Sequence, residues 1–208
     1  MAGVSKHVNH HHVEKKAAIH KVLAGKSDLR IWEPNAYKDD GSLGEAAKAF
    51  ADHSTPSKHV LDRWRGGDPT TDQLFRLRSF LLAGKVFDVI DLDGYGGPER
   101  MLMSGAVSLL AATGYLFVTY PIKGAARMFP NPLSVSIGAH GRRPSGLDLL
   151  SLVVSTSMAW GYKAEIECTE SYDAVVLRLA FKCTKFRGLR TTMEAVLDAE
   201  HNMRRLSV

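Results

Sequence analysis

The chain has 208 residues, of which 45% are hydrophobic and 24% are charged, and its formal net charge is +5. These proportions are close to those of ordinary globular proteins, so they exclude a wholly disordered or fibrous class, and the length is enough for one sizeable core. The longest apolar run, residues 101–120, is broken by serine and glycine, so it predicts a helix, a turn and a strand and excludes a membrane span. Because the first 16 residues lack the apolar segment of a signal peptide, we expect a cytoplasmic protein.

The N-terminal half shows strands and helices in alternation. Residues 13–23 have apolar side chains at helical spacing and stop before Gly25, which predicts a short amphipathic helix. A strand over 29–34, an alanine-rich helix over 44–53 and a second strand over 58–64 follow. We expect residues 1–25 to form an N-terminal arm with this short helix, and residues 26–208 to form the main domain.

The alternation continues through the middle of the chain. Thr71 and Asp72 predict the cap of a helix that ends at Leu82. The apolar run 86–92 lacks strict alternation, which is typical of a central parallel strand covered on both faces. A helix over 98–112 and a strand over 114–120 are predicted next.

The C-terminal part departs from the alternation. After a long loop rich in proline and glycine, over 121–144, we predict a helix over 145–160, two consecutive strands over 164–169 and 174–182, and a final helix over 191–205. Two strands joined by a few residues form an antiparallel hairpin. The predicted fold class is therefore α/β, a doubly wound and mostly parallel sheet with helices on both faces and a C-terminal antiparallel hairpin strand.

The junction after the strand at 86–92 carries the most informative motif. It reads Asp91-Leu92-Asp93-Gly94-Tyr95-Gly96 and continues directly into the next helix. This segment resembles motif four of Rossmann-type S-adenosylmethionine-dependent methyltransferases. It is most similar to the Asp-Leu-Asp-Pro-Tyr-Gly-Ser-Pro segment of the tRNA guanine-N2 dimethyltransferases, with Gly94 in place of the proline, and residues 114–119 resemble the strand that follows there.

The resemblance implies a methyltransferase-type Rossmann fold, S-adenosylmethionine as cofactor and three catalytic candidates. Methyl transfer to an exocyclic amine needs a group that orients the N–H bonds and accommodates developing positive charge. The family pattern gives this role to Asp93, with Asp91 as its competitor and Tyr95 available to stack on a base. The alternative is a glycine-rich strand-to-helix turn with a capping aspartate.

Cofactor contacts are expected where the other predicted strands end, because ligands of open parallel sheets bind beyond the carboxyl ends of the strands. Glu33, Pro34 and Asn35 follow the first strand, and Gly41 is the one glycine that remains in the loop after them. Asp62 follows the second strand and suits the cofactor ribose hydroxyls, while Asp91 belongs to this group as well as to the catalytic one. As alternatives, the loop is merely solvated and Asp62 caps a turn.

The basic character of the chain indicates a polyanionic partner, with RNA favoured over DNA. Candidate phosphate contacts are Lys123, Arg127, Arg142 and Arg143 in the long loop, together with Lys185 and Arg187. A solvated basic face is the alternative.

Two further residue sets suggest no metal site. Cys168 and Cys183 lack a CxxC spacing and lie in apolar segments, so we expect buried free thiols. The histidines near the N-terminus have no ligand spacing, and we predict no metal.

These features predict an S-adenosylmethionine-dependent methyltransferase that acts on nucleic acid, at a base amino group in RNA. The rival hypothesis is a decayed methyltransferase-like domain that serves as a nucleic-acid-binding or partner-binding subunit. It is favoured by the unusual loop after the first strand. Another enzyme with a nucleotide cofactor is disfavoured, because no GxGxxG or GxxxxGK[ST] motif is present.

Overall fold

A computed structural model of the chain describes residues 12–34, 36–37, 42–62, 69–93, 98–121, 146–172 and 176–186. Five α-helices, one 3-10 helix and six strands alternate along these residues. They are α1 (His12–Val22), β1 (Ile31–Glu33), α2 (Glu45–Ala51), β2 (His59–Leu61), α3 (Pro69–Leu82), β3 (Phe87–Leu92), α4 (Glu99–Met103), the 3-10 helix Ala106–Leu109, β4 (Leu110–Pro121), α5 (Gly146–Ala159), β5 (Tyr162–Tyr172) and β6 (Val176–Lys185).

The six strands form one sheet in the order β2-β1-β3-β4-β6-β5. The pairs β1–β2, β1–β3 and β3–β4 are parallel, whereas β6 is antiparallel to both β4 and β5. This arrangement confirms the predicted doubly wound, mostly parallel sheet with a closing antiparallel strand. The inversion of β6 places its first residues at the edge of the sheet where the parallel strands end.

Alternate residues of each strand point to opposite sides of the sheet, so each face carries buried apolar side chains. Helices cover both faces. In β3, Ile90 belongs to the larger core, which includes Leu77 of α3, Leu102 of α4 and Val153 of α5. Val89 belongs to the smaller core, which is built with α1 and α2. The polar side chains of the candidate site described below lie on this second face.

Helix α1 packs on the sheet through Ile19 and the following Leu23, both fully buried, and α2 contributes the buried Phe50. Gly25 has a φ of +70°, the left-handed conformation that favours glycine, which agrees with its predicted place after the helix.

Two sequence-based helix boundaries were wrong. The helix predicted over 98–112 ends at Met103, since Gly105 adopts a φ of +95° and a Cβ there would lie 2.8 Å from the Trp160 ring. The chain then joins the sheet at Leu110, which pairs with Phe87, so residues 110–112 are strand. Helix α3 begins at Pro69 instead of after a Thr71-Asp72 cap, because the fixed φ of proline suits the first helical turn.

The other predictions of local structure are confirmed within a few residues where the structure describes them. The loop predicted over 121–144 lies outside the described residues except for Pro121, which ends β4, and the helix predicted over 191–205 lies outside them entirely. Cys168 and Cys183 are buried free thiols, as expected. Within the described residues, no helix is long and apolar enough to cross a membrane.

Candidate functional site

A row of polar side chains replaces the apolar core at the carboxyl edge of the sheet, on the face covered by α1 and α2. Along β3 and just beyond it, Val89, Asp91 and Asp93 are two residues apart at each step, so the three share a face. That face changes from apolar at Val89 to acidic at Asp91 and Asp93. Glu33 ends β1 on the same face as the buried Ile31. The carboxyl groups of three residues therefore meet at the ends of neighbouring parallel strands, where ligands of this fold class bind.

Arg178 of β6 lies between the two aspartates. One terminal nitrogen, Nη2, donates to Asp91 Oδ2 at 3.0 Å, and the other, Nη1, donates to Asp93 Oδ2 at 3.1 Å and to Thr119 Oγ1 at 2.8 Å. Thr119 is the direct partner of Arg178 in the β4–β6 register. The Arg178 side chain is only 1% exposed, so its charge is compensated inside the protein.

Lys15 brings a second cation to the cluster from α1. Its Nζ donates to Asp93 Oδ2 at 2.7 Å, and the Lys15 side chain is 8% exposed. Asp93, at 28% exposure, is the most accessible carboxylate of the three, because Glu33 and Asp91 are 4% and 2% exposed. The helix thus reaches the residue that the sequence pattern marks as catalytic.

Glu33 is paired with His59 of β2, whose Nε2 lies 2.6 Å from Glu33 Oε2. Both side chains are buried. Burial raises the pKa of Glu33, and the hydrogen bond to His59 opposes that shift without cancelling it.

The pKa values of the two aspartates are shifted in opposite directions. Burial raises the pKa of Asp91 to about 7, although the Arg178 guanidinium works against this shift. Burial also acts on Asp93, but Lys15 and Arg178 together outweigh it and hold the pKa of Asp93 below its ordinary value. Asp93 is therefore ionised at neutral pH, while Asp91 is close to its titration midpoint.

One oxygen of this cluster is left over. Asp91 Oδ1 is buried and has no hydrogen-bond partner among the described residues. A buried oxygen of this kind costs free energy unless a donor reaches it. A hydrogen-bond donor that reaches Asp91 Oδ1 would therefore be stabilised there.

Asp62, at the end of β2, is held by other residues. Its Oδ2 accepts hydrogen bonds from the Trp32 indole Nε1 at 2.7 Å and from Arg76 Nε at 3.3 Å, and Arg76 Nε also lies 3.1 Å from Oδ1. Its side chain is 22% exposed. These contacts fix the carboxylate at the strand end where the cofactor ribose is expected.

The other predicted site residues are spread over the chain. Pro34 is buried beside Glu33, and Lys185 is exposed at the end of β6, with its Nζ 5.9 Å from the centre of the Tyr162 ring. The remaining ones lie outside the described residues: Asn35, Gly41, Tyr95, Lys123, Arg127, Arg142, Arg143 and Arg187. Within the described part of the chain, no three His, Cys, Asp or Glu side chains are grouped to hold a metal ion.

Sequence reasoning missed Lys15, His59, Thr119 and Arg178. For Arg178 a signal was present, since it interrupts the apolar alternation of the predicted last strand in Val176-Leu177-Arg178-Leu179-Ala180. A charged residue on the apolar face of a strand requires a buried partner of opposite charge. The other three show no such signal, because their positions depend on how α1, β2 and β4 are placed.

Comparison with known proteins shows the fold. No protein-family model matches the chain, and no curated protein matches it in sequence. The solved structure of Trm1 from Pyrococcus horikoshii with S-adenosyl-L-methionine is similar at a TM-score of 0.51 and 13% identity, over 88% of this chain and 57% of Trm1. This chain thus spans a little over half the length of Trm1.

Two other solved structures are similar at lower scores. The pyocyanin biosynthetic protein PhzM matches at a TM-score of 0.41 and 17% identity, over 82% of this chain and 55% of PhzM. Precorrin-6y C5,15-methyltransferase from Geobacter metallireducens GS-15 matches at 0.44 and 14%, over 89% of this chain and 94% of that enzyme. Together with the strand order, the likeness to Trm1 defines this chain as a methyltransferase-type Rossmann fold.

Proposed function

We propose that the protein is an S-adenosylmethionine-dependent methyltransferase that modifies a base amino group in RNA. The observation that carries the proposal is the cluster of the buried Glu33 and Asp91 with the partly exposed Asp93 at the carboxyl ends of β1 and β3. The same fold binds S-adenosyl-L-methionine in the solved structure of Trm1.

The charges of the cluster fit this cofactor. Three carboxyl groups face two permanent cations, Lys15 and Arg178. The carboxyls outnumber these two cations by one, so ionisation of all three leaves one negative charge uncompensated, which favours a ligand with a positive sulfonium centre. The unpartnered Asp91 Oδ1 and the fixed carboxylate of Asp62 supply acceptors for the amino or hydroxyl groups of such a ligand.

The two aspartates divide the chemistry between them. When bound, S-adenosylmethionine supplies an electrophilic methyl group on its sulfonium. Asp93 is ionised and partly exposed, so it can accept hydrogen bonds from the N–H groups of the substrate amine and stabilise the positive charge that develops there. Asp91, with a pKa near 7, is suited to receive at Oδ1 the proton that the amine loses.

RNA as the substrate is supported by charge and by the motif. The chain carries a formal charge of +5, and Lys185 presents an exposed ammonium group at the end of β6. Lys123, Arg127, Arg142, Arg143 and Arg187 are the other proposed phosphate contacts, and Tyr95 is proposed to stack on the target base.

The proposal is tested by incubating the purified chain with methyl-labelled S-adenosylmethionine and a mixed RNA pool, then digesting the RNA to nucleosides. We expect label in a nucleoside with a methylated exocyclic amine, formed about a hundredfold or more slowly by the Asp93→Asn variant. Absence of labelled nucleosides from wild type with both RNA and single-stranded DNA would contradict the proposal.

A second candidate function is a binding subunit built on the same fold. It is favoured by one observation, since Asp62 and Asp93 already have cationic partners, Arg76 for the first and Lys15 with Arg178 for the second. This candidate predicts RNA binding without measurable binding of S-adenosylmethionine, which separates it from the enzyme.

A further inference from the structure

We infer that Arg178 is a positioning residue of the proposed methyl transfer, which holds Asp91 and Asp93 side by side at the end of β3. The inference rests on the proposed function, and it adds a residue that the sequence motif does not contain. Its basis is the two-armed contact of one buried guanidinium with both aspartates.

The geometry needs the shape of arginine. Nη2 donates a hydrogen bond to Asp91 at 3.0 Å, and Nη1 donates one to Asp93 at 3.1 Å. Because the two nitrogens lie in one rigid plane, they set the relative orientation of the carboxylates. A lysine ammonium is a single point charge and cannot occupy both positions.

The guanidinium is itself fixed on two further sides. Nη1 also donates to Thr119 Oγ1 at 2.8 Å, and Cζ lies 5.3 Å from the centre of the Phe117 ring. Thr119 and Phe117 are both on β4, the neighbour of β6 in the sheet. Both terminal nitrogens of Arg178 already donate to Asp91, Asp93 and Thr119, so it acts through the aspartates and does not touch the reacting atoms.

The surroundings offer few substitutes for its charge. Among the described residues, the ionisable groups around the aspartates are Lys15 on α1, Glu33 on β1 and His59 on β2, while β4 contributes the neutral Thr119. Without the guanidinium fork, three carboxyl groups face Lys15 alone among the permanent cations of the described residues. Their mutual repulsion then favours protonation, which removes the negative charge that the reaction uses.

The primary test compares Arg178→Lys with wild type and with Arg78→Lys, a matched change at an exposed position of α3. Two readouts are taken: single-turnover methyl transfer between pH 5.5 and 9, and titration of the aspartate carboxyl carbons by NMR without cofactor. For folded Arg178→Lys we expect a rate lowered about tenfold or more, a rate profile displaced to higher pH, and at least one of the two aspartates titrating at higher pH. Arg78→Lys should match wild type.

An Arg178→Lys protein that folds, keeps the wild-type rate profile and shows unchanged aspartate titrations would overturn the inference. The NMR titration separates this failure from a failure of the proposed function. If the wild-type chain shows no methyl transfer, the proposed function is contradicted. The NMR titration still decides whether Arg178 sets the pKa values of the two carboxyls.

A second pair of variants serves if Arg178→Lys does not fold. Thr119→Val removes the hydroxyl that anchors Nη1 and that also bonds Asp93, and it leaves every charge in place, whereas Thr119→Ser keeps the hydroxyl. We expect a several-fold lower rate with unchanged cofactor affinity in Thr119→Val, and recovery in Thr119→Ser. Equal rates in all three proteins would count against Arg178 as a positioning residue.

Discussion

At the end of β3, Asp91 and Asp93 lie on one face and both contact Arg178, yet their surroundings shift their pKa values in opposite directions. Asp91 is fully enclosed, so burial dominates and its pKa rises to about 7. Asp93 is nearer to solvent and has Lys15 in addition to Arg178, so its pKa falls. Two carboxylates with separated pKa values can divide the roles of charge stabiliser and proton acceptor.

Asp93→Asn tests the role of the charge, because asparagine keeps the shape and one acceptor oxygen. We expect single-turnover methyl transfer to RNA to fall about a hundredfold or more, with cofactor affinity nearly unchanged. Asp91→Asn serves as the comparison. Full activity in Asp93→Asn would discard the assignment, and a selective loss in Asp91→Asn would move the orienting role to Asp91.

The raised pKa of Asp91 predicts a pH-dependent affinity for the cofactor. Below about pH 7 Asp91 is neutral, and above it Asp91 is an anion that attracts a sulfonium. We therefore expect calorimetry to show that S-adenosylmethionine binds more tightly at pH 8 than at pH 6, with a smaller change for the uncharged thioether S-adenosylhomocysteine. If both ligands show the same pH dependence, Asp91 does not face the sulfonium.

In the candidate site, the residues whose placement sequence could predict were those at strand ends. Glu33, Asp62, Asp91 and Asp93 follow from the rule that ligands bind beyond the carboxyl ends of parallel strands. Arg178 comes from a strand that runs the other way, so its position depends on the β4–β6 register, in which it pairs with Thr119. That register cannot be predicted from the residues around position 178.

At the scale of elements, α1 links the N-terminal segment to the site. Ile19 and Leu23 are fully buried against the sheet, while Lys15, one turn earlier, reaches Asp93. The packing of this helix therefore determines whether the carboxylate has its second cation.

Lys15→Met tests this link, because methionine keeps most of the length and apolar stem of lysine. Loss of a charge-assisted hydrogen bond at a largely buried site should lower the free energy of unfolding by about 1.5–3 kcal/mol in urea denaturation at pH 7. Lys16→Met, at the exposed neighbouring position, should change it by less than about 0.5 kcal/mol.

The difference between Lys15→Met and wild type should shrink on acidification. The pKa of Asp93 is lowered in the folded state, so its stabilising contribution is present at neutral pH and is lost as the pH falls through that value. An equal loss of stability at all pH values would mean that Lys15 acts by packing and not by its charge.

The order of elements was more predictable than their ends. Hydrophobic periodicity placed the strands and helices correctly along the described chain, because each element buries a face with its own period. It failed over 98–112, where one apolar run contains α4, a 3-10 helix and the start of β4. The change there depends on the positive φ of Gly105 and on the strand partner of Leu110, Phe87, and both are properties of the tertiary structure.

At the scale of the whole molecule, the positive charge is the main support for RNA as the substrate. Replacing Arg142 and Arg143 with alanine should weaken RNA binding similarly for all sequences, and each lost phosphate contact should reduce the slope of log K against log salt by about one. Binding isotherms at several salt concentrations measure this, with Lys163→Ala on exposed β5 as a control. An unchanged slope would mean that the two arginines are merely solvated.

The central claim, that the acidic cluster at the carboxyl edge of the sheet binds S-adenosylmethionine, is tested most directly by calorimetric titration of the wild-type chain and of Asp91→Asn at pH 8. We expect one cofactor per chain for wild type and clearly weaker binding for Asp91→Asn, because the variant lacks the negative charge next to the unpartnered oxygen. No binding heat from wild type at millimolar cofactor, for a chain shown to be folded, would contradict the claim and favour the binding subunit.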